Sequence, residues 1–142
     1  MKTMMGASFV TLIASAFFTV ASAQNTAPQK VKDAFAKDHT GIMHPKWELE
    51  DGNFEGNWKV NGTDHSALYS PAGKFIMSEA DIAVSKLPKS AIDYMAKSAK
   101  KKVKEASKNV DADGIVTYEA DVKNMAYVFD ANGKFIKTVK GD

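Results

Sequence analysis

The 142-residue chain predicts an α+β fold in which a helix plus a four-stranded antiparallel meander occurs twice in tandem. Three observations carry this. The heptads SPAGKFI (70–76) and DANGKFI (130–136) repeat at an offset of 60. Two-residue turn signals, Asp51-Gly52 and Asn61-Gly62, punctuate runs of alternating polarity, and such pairs favour the hairpin turns that need positive φ. Proline-led amphipathic stretches begin at Pro28 and Pro88.

The first 23 residues are expected to be a cleaved secretory signal. Lys2 supplies the charged start, residues 7–20 are apolar or small, and Ala21-Ser22-Ala23 forms the small-residue cleavage site. A retained membrane anchor is the alternative, but the apolar run is short for a span. No cysteine follows it, so a lipid-anchored cysteine is excluded. The remaining residues, 24–142, suit one domain made of two repeats, about 28–78 and 87–140.

A chain of that size buries roughly two-thirds of its unfolded surface and needs no disulfide. With no cysteine, thiol chemistry is excluded. All 19 basic residues are lysines. The absence of arginine's planar fork argues against nucleic acid as a partner.

The first helix is expected over 28–39, with Val31, Ala34 and Phe35 as its apolar stripe and Gly41 beyond its end. Burying a side chain such as Phe35 is worth about 1.5–3 kcal/mol. The turns then register the strands. Leu49 should oppose Phe54, Trp58 oppose His65, and Phe54 oppose Tyr69. Tyr69 should oppose Phe75, and Leu68 oppose Ile76. One face thereby collects Trp47, Leu49, Phe54, Trp58, Val60, Ala67, Tyr69, Phe75 and Met77, and the other is polar. Residues 77–87 are expected to connect the units. The second helix is expected over 88–101, with Ile92, Met95, Ala96, Ala99 and Val103 on one side. The following strand, near 103–110, has unclear phase. The second meander presents Val116, Tyr118, Ala120, Val122, Met125, Tyr127, Phe129 and Phe135 to its helix. The offset between the units changes from 62 to 60, which is expected at the turn 61–62 against 123–124.

These residues resemble a known family. VKDAF, WELEDGNFEGNWKVNG, SPAGKFI, IAVSKLPKSAIDYM and DADGIVTYEADV with YVFDANGKFI are similar to the PepSY-like proteins of β-lactamase-inhibitor-like fold. These are small exported bacterial proteins common in Bacteroidetes. The resemblance spans nearly all of 24–142. It implies sheets that join into one curved sheet with both helices on one face. It implies no established activity.

Several motifs invite chemistry. Asn109, Asp111, Asp113 and Gly114 mimic the start of a calcium loop, but Ala120 stands where a bidentate Glu belongs, and the flanks read as strands. His39, His44 and His65 could bind zinc or copper, yet no spacing places two on one helix face. No nucleophile elbow or phosphate-binding glycine loop is present. No catalytic residue, metal site or cofactor is therefore expected, and the protein is read as no enzyme. The lysines of 97–104 could meet lipid headgroups or an acidic partner, although a solvated helix end explains them too.

One repeated feature is left. Leu68 opposite Ile76, and Val128 opposite Ile136, are expected on the polar face, away from the helices. Exposed apolar residues need no explanation singly. At matching places in both units they suggest a partner-binding strip. The expected function is an exported, non-enzymatic protein-binding or inhibitor-like module. Its partner is another envelope or extracellular protein, and the mature chain makes no stable membrane insertion. The alternative is a periplasmic protein that binds a small ligand or metal through its His or Asp clusters.

Overall fold

A computed structural model describes residues 26–140. The signal segment lies outside the described residues. Helix α1 (Gln29–Asp38) precedes strands β1 (Lys46–Glu50), β2 (Asn53–Val60), β3 (Thr63–Tyr69) and β4 (Phe75–Ile82). Helix α2 (Lys89–Tyr94) precedes β5 (Glu105–Asp111), β6 (Val116–Val122), β7 (Met125–Asp130) and β8 (Phe135–Lys140). All eight strands form one antiparallel sheet in chain order, so β4 pairs with β5 and joins the two meanders.

The turns act as their residues require. Asp51 and Gly52 have φ of 45° and 80°, and Asn61 and Gly62 have 51° and 82°. These positive angles match the right-handed twist of the flanking strands. Helix α1 begins after Pro28, as expected, and Gly41 (φ 93°) turns the chain beyond it.

Each helix covers half of one sheet face. Val31 and Phe35 of α1 pack with Trp47, Phe54, Trp58, Ala67, Tyr69 and Phe75. Ala91 and Met95 pack with Leu87, Ala106, Ala120 and Phe129, flanked by Tyr118, Tyr127 and Phe135. The closing hairpins lock onto these helices. Gly73 (φ 81°) lies so close to α1 that a Cβ there would meet the Lys30 carbonyl oxygen at 2.7 Å. Gly133 (φ 80°) sits against Pro88 and Ser90, and the Ser90 hydroxyl donates to the Asn132 carbonyl at 2.5 Å. The repeated glycine therefore serves both backbone angle and close approach.

Five expectations need correction. Residues 77–82 are the body of β4 rather than a connector, because they pair with β3 and β5. Only 83–87, with a 3₁₀ turn at Val84–Lys86, joins strand to helix. The second helix is α-helical only to Tyr94. A wider π turn, Met95–Ala99, ends it, and Lys100 is left-handed at φ 54°. Leu68 opposes Met77 rather than Ile76, and Val128 opposes Lys137 rather than Ile136. Ile76 and Ile136 are extra residues at β-bulges, which shift everything after them by one. Met77 consequently leaves the helix-covered face and packs on Leu68. The change of offset is not at the turns, since both hairpins close over two residues. The Phe54–Tyr69 rung is the seventh from its turn and the Tyr118–Phe129 rung the fifth, so the second hairpin is shorter. Strand β5, unclear in sequence, pairs regularly and sends Ala106 to the helices.

Candidate functional site

The sheet face away from the helices is unusual in what it buries. Leu68, Val128 and Ala126 are at most 1% exposed, and Met77 is 5% exposed, although no helix residue packs with the Leu68–Met77 cluster. Glu55, Ser66, Ser107, Asn109, Thr117 and Glu119 are also buried there. A flat sheet face leaves such side chains in water. Their burial means that strands incline toward one another and side chains converge, so this face is the concave one. The twist of strands and the two bulges both favour such curling.

The expected partner-binding residues divide accordingly. Leu68 and Val128 form the floor of this face. Ile136 is 49% exposed, and Ile76 is half-buried. Joining the two meanders does not bring the pairs together. Strands β5 and β6 lie between β4 and β7, so the pairs stand on opposite sides of the concavity.

Between them lies a polar centre that alternation alone did not reveal. Glu79 faces Ser66 across one neighbouring strand and Asn109 across the other. Asn109 Nδ2 donates to Glu119 Oε1 at 2.8 Å. Glu119 lies opposite Ser107 and Val128, and Asp121 opposite Glu105. On β2, Glu55 accepts a hydrogen bond from Asn57 Nδ2 at 3.2 Å. Asn109 Oδ1 and one Glu79 oxygen, Oε2, are buried without a hydrogen-bond partner.

Burial and mutual repulsion raise the pKa values of this group. Burial first, then the neighbouring carboxylates Glu119, Asp81, Glu55 and Asp121, push Glu79 up to about 9. Burial and Asp121 push Glu119 up to about 7, against the Asn109 hydrogen bond and the Lys137 charge. Burial with Glu105 and Asp81 pushes Asp121 up to about 6. Glu55 and Asp81 are raised too, each chiefly by burial. Desolvation disfavours a charged carboxylate, and nearby like charges add to the effect.

The other motif residues are placed as follows. The Asp111 side chain accepts from the backbone N–H groups of Asp113 and Ile115, both at 2.9 Å. Asp130 does the same for Asn132 and Lys134. These carboxylates hold their own turns, as Asx residues commonly do. His39 and His65, far apart in sequence, both lie against Trp58, with ring centroids at 4.7 and 5.6 Å. Burial lowers the His39 pKa below its ordinary value. Among the described residues no group of three or more His, Asp or Glu side chains is placed to hold a metal ion. Beside α2, Lys101 and Lys102 border a groove of about 240 Å³ lined by Val84, Leu87, Ile92, Met95, Ala96 and Val103.

Solved structures share this fold. A DUF2874 family protein from Bacteroides uniformis matches with a TM-score of 0.68 at 18% identity, over 81% of this chain and 90% of that one. A candidate periplasmic protein from Bacteroides eggerthii matches at 0.66 and 16%, over 81% and 89%. No family model matches the sequence, and no curated protein does. None of these comparisons shows the PepSY family, and the resemblance to it rests on the motifs alone. A BLIP-like protein from Bacteroides fragilis matches with a TM-score of 0.64 at 14% identity, over 81% and 86%, and the chain shares that BLIP-like fold.

Proposed function

We propose that the protein is an exported, non-enzymatic binding module that holds an envelope or extracellular protein against its concave sheet face. The observation that carries this is the construction of the face. It has an apolar floor of Leu68 and Val128, and it presents Ile76 and Ile136 at bulges on either side. Bulges commonly re-aim side chains at functional positions. Export rests on the signal-like residues 1–23 and on the periplasmic description of a structural neighbour. Among the described residues no helix is long and apolar enough to cross a membrane. The element order, helix and four strands twice, supports reading the halves as copies of one unit.

The test replaces Ile76 and Ile136 together by Gln, which keeps charge and folding unchanged. Partner capture from the producer's envelope fraction should fall by an order of magnitude or more. Hydrogen exchange in the captured complex should slow on β3, β4, β7 and β8. Undiminished capture by the double variant would refute the reading. The small-ligand alternative has one supporting observation, the groove beside α2. A thermal shift produced by small amphiphiles or divalent metals, and lost in Ile92→Gln, would favour it.

A further inference from the structure

We propose that the centre of the concave face, around Glu79, Asn109 and Glu119, receives the cationic side chains of a lysine- or arginine-bearing segment of a protein partner. This rests on the reading of the face as partner-binding and names the partner's chemistry.

Charge segregation is the first argument. The chain carries 19 lysines against 17 acids and is net positive. Yet the concave side of β4, β5 and β6 carries Glu79, Asp81, Glu105, Glu119 and Asp121 and no lysine. Lys108 of β5 pairs with Ala80 and Tyr118, which places it on the helix side. At one flank Lys46 pairs with Glu48 at 2.7 Å and Lys59 with Asp64 at 3.2 Å, and from the other side Lys137 of β8, opposite Val128, brings one positive charge toward Glu119, against the five acids of the centre. A locally acidic concavity on a basic protein selects a positive partner by complementarity.

The second argument is independent of the acids. Asn109 is 1% exposed, and its Oδ1 is buried with no donor. Glu79 Oε2 is in the same condition. Buried polar atoms are almost always satisfied. An amide oxygen only accepts, and Glu79 Oε2 accepts once its carboxyl is ionised; Ser66 Oγ, opposite Glu79, is buried and unmet as well and can also accept, so an incoming donor group satisfies all three. An ammonium or guanidinium brings several donors and the opposite charge. The apolar floor adds the rest, because Met77 precedes Glu79 by two residues and Val128 faces Glu119. A long basic side chain can lay its aliphatic stem on such a floor.

The raised pKa values supply a distinctive readout. At pH 7 Glu79 holds its proton, and Glu119, near 7, is divided between its two forms. A cation arriving beside them favours the ionised form. Binding must then expel protons.

The experiment titrates a deca-lysine peptide into the protein at pH 7 and low salt, by calorimetry in Tris and in phosphate buffer. The expected result is binding whose heat differs between the buffers by an amount that reports proton release. Glu79→Gln with Glu119→Gln should weaken binding about tenfold or more and remove the buffer difference. Thermal melting confirms that this variant is folded. Asp33→Asn with Asp93→Asn, on the helices, should change nothing. Absence of binding, equal weakening by the helix variant, or binding without proton release would each overturn the proposal. If Ile76→Gln with Ile136→Gln abolishes partner capture while the Glu variant captures normally, the face reading survives and the cationic class falls. If the peptide results hold but the Ile variant captures normally, the face reading fails instead.

Discussion

Phe35 and Met95 stand at corresponding places, 60 residues apart, under the two helices, and both are 2% exposed. Their surroundings differ. Phe35 meets Trp47, Trp58 and Tyr69 edge-on at centroid distances of 5.2–6.2 Å. Room for these rings comes from Gly56, where a Cβ would lie 3.1–3.2 Å from Trp47 and Phe35. Met95 instead sits in a cluster with Ala91, Ala106, Ala120 and the single buried ring of Phe129, beside which Tyr94 stacks on Phe135 at 4.6 Å. Large on the helix matches small on the sheet in the first half, and a flexible side chain matches alanines in the second. The same frame is filled by different volumes in the two halves, as close packing demands.

The largest effect should come from breaking the ring cluster. Phe35→Ala is expected to cost about 3–5 kcal/mol, and Met95→Ala about 2–5 kcal/mol with the smaller end favoured because neighbours can close in. Urea unfolding of both variants checks this. A Phe35→Ala cost below that of Met95→Ala would mean that the edge-on ring contacts contribute little.

Next come the hairpin glycines. Gly73→Ala and Gly133→Ala combine a positive φ with a Cβ that has no space, and each should cost about 1–3 kcal/mol. Gly62→Ala, with positive φ but open space around it, should cost less. Melting temperatures of the three variants separate backbone angle from docking onto the helix. Equal costs would show that the hairpins only touch the helices without depending on close approach.

A third effect contrasts the two faces of the sheet. Glu79's folded value, about 9, lies above its ordinary 4.5. Between those pH values the folded state holds a proton that the unfolded state has released, so stability falls as pH rises through this window. Glu119 adds to the fall up to about pH 7 and Asp121 up to about pH 6. Glu79→Gln should leave stability near pH 4.5 unchanged and raise it progressively toward pH 9. Thermal melts across pH 4.5–9 report the convergence or its absence.

The smallest effect belongs to the first half alone. The Tyr69 hydroxyl donates to Asp38 at 3.0 Å, and burial together with that carboxylate raises its pKa. Tyr69→Phe should cost about 0.5–1.5 kcal/mol, measured by chemical denaturation. The equivalent position in the second half is already Phe129.

Much of the fold was legible because its signals are local. Proline at a helix start, Asn-Gly in a tight turn and period-two alternation each act within a few residues, so α1, the hairpins and most cross-strand partners followed directly. Even the bulges left a trace, since Phe75-Ile76-Met77 puts three apolar residues in a row where a strand should alternate. The candidate site was less legible. Alternation showed that Leu68 and Val128 point away from the helices, but not that the sheet curls over them. It placed Glu79, Asn109 and Glu119 nowhere near one another, because they come from three strands joined only when β4 pairs with β5.

The sequence by itself thus determined which residues turn and which face most strand residues take, Met77 and strand β5 apart. That the two meanders share one curved sheet was implied by the family resemblance, and it is the β4–β5 pairing of the tertiary structure that establishes it. That curvature removes water from carboxylates which, on a flat strand, would be ordinary surface acids. Desolvation depends on neighbours distant in sequence, so no local pattern could have announced it.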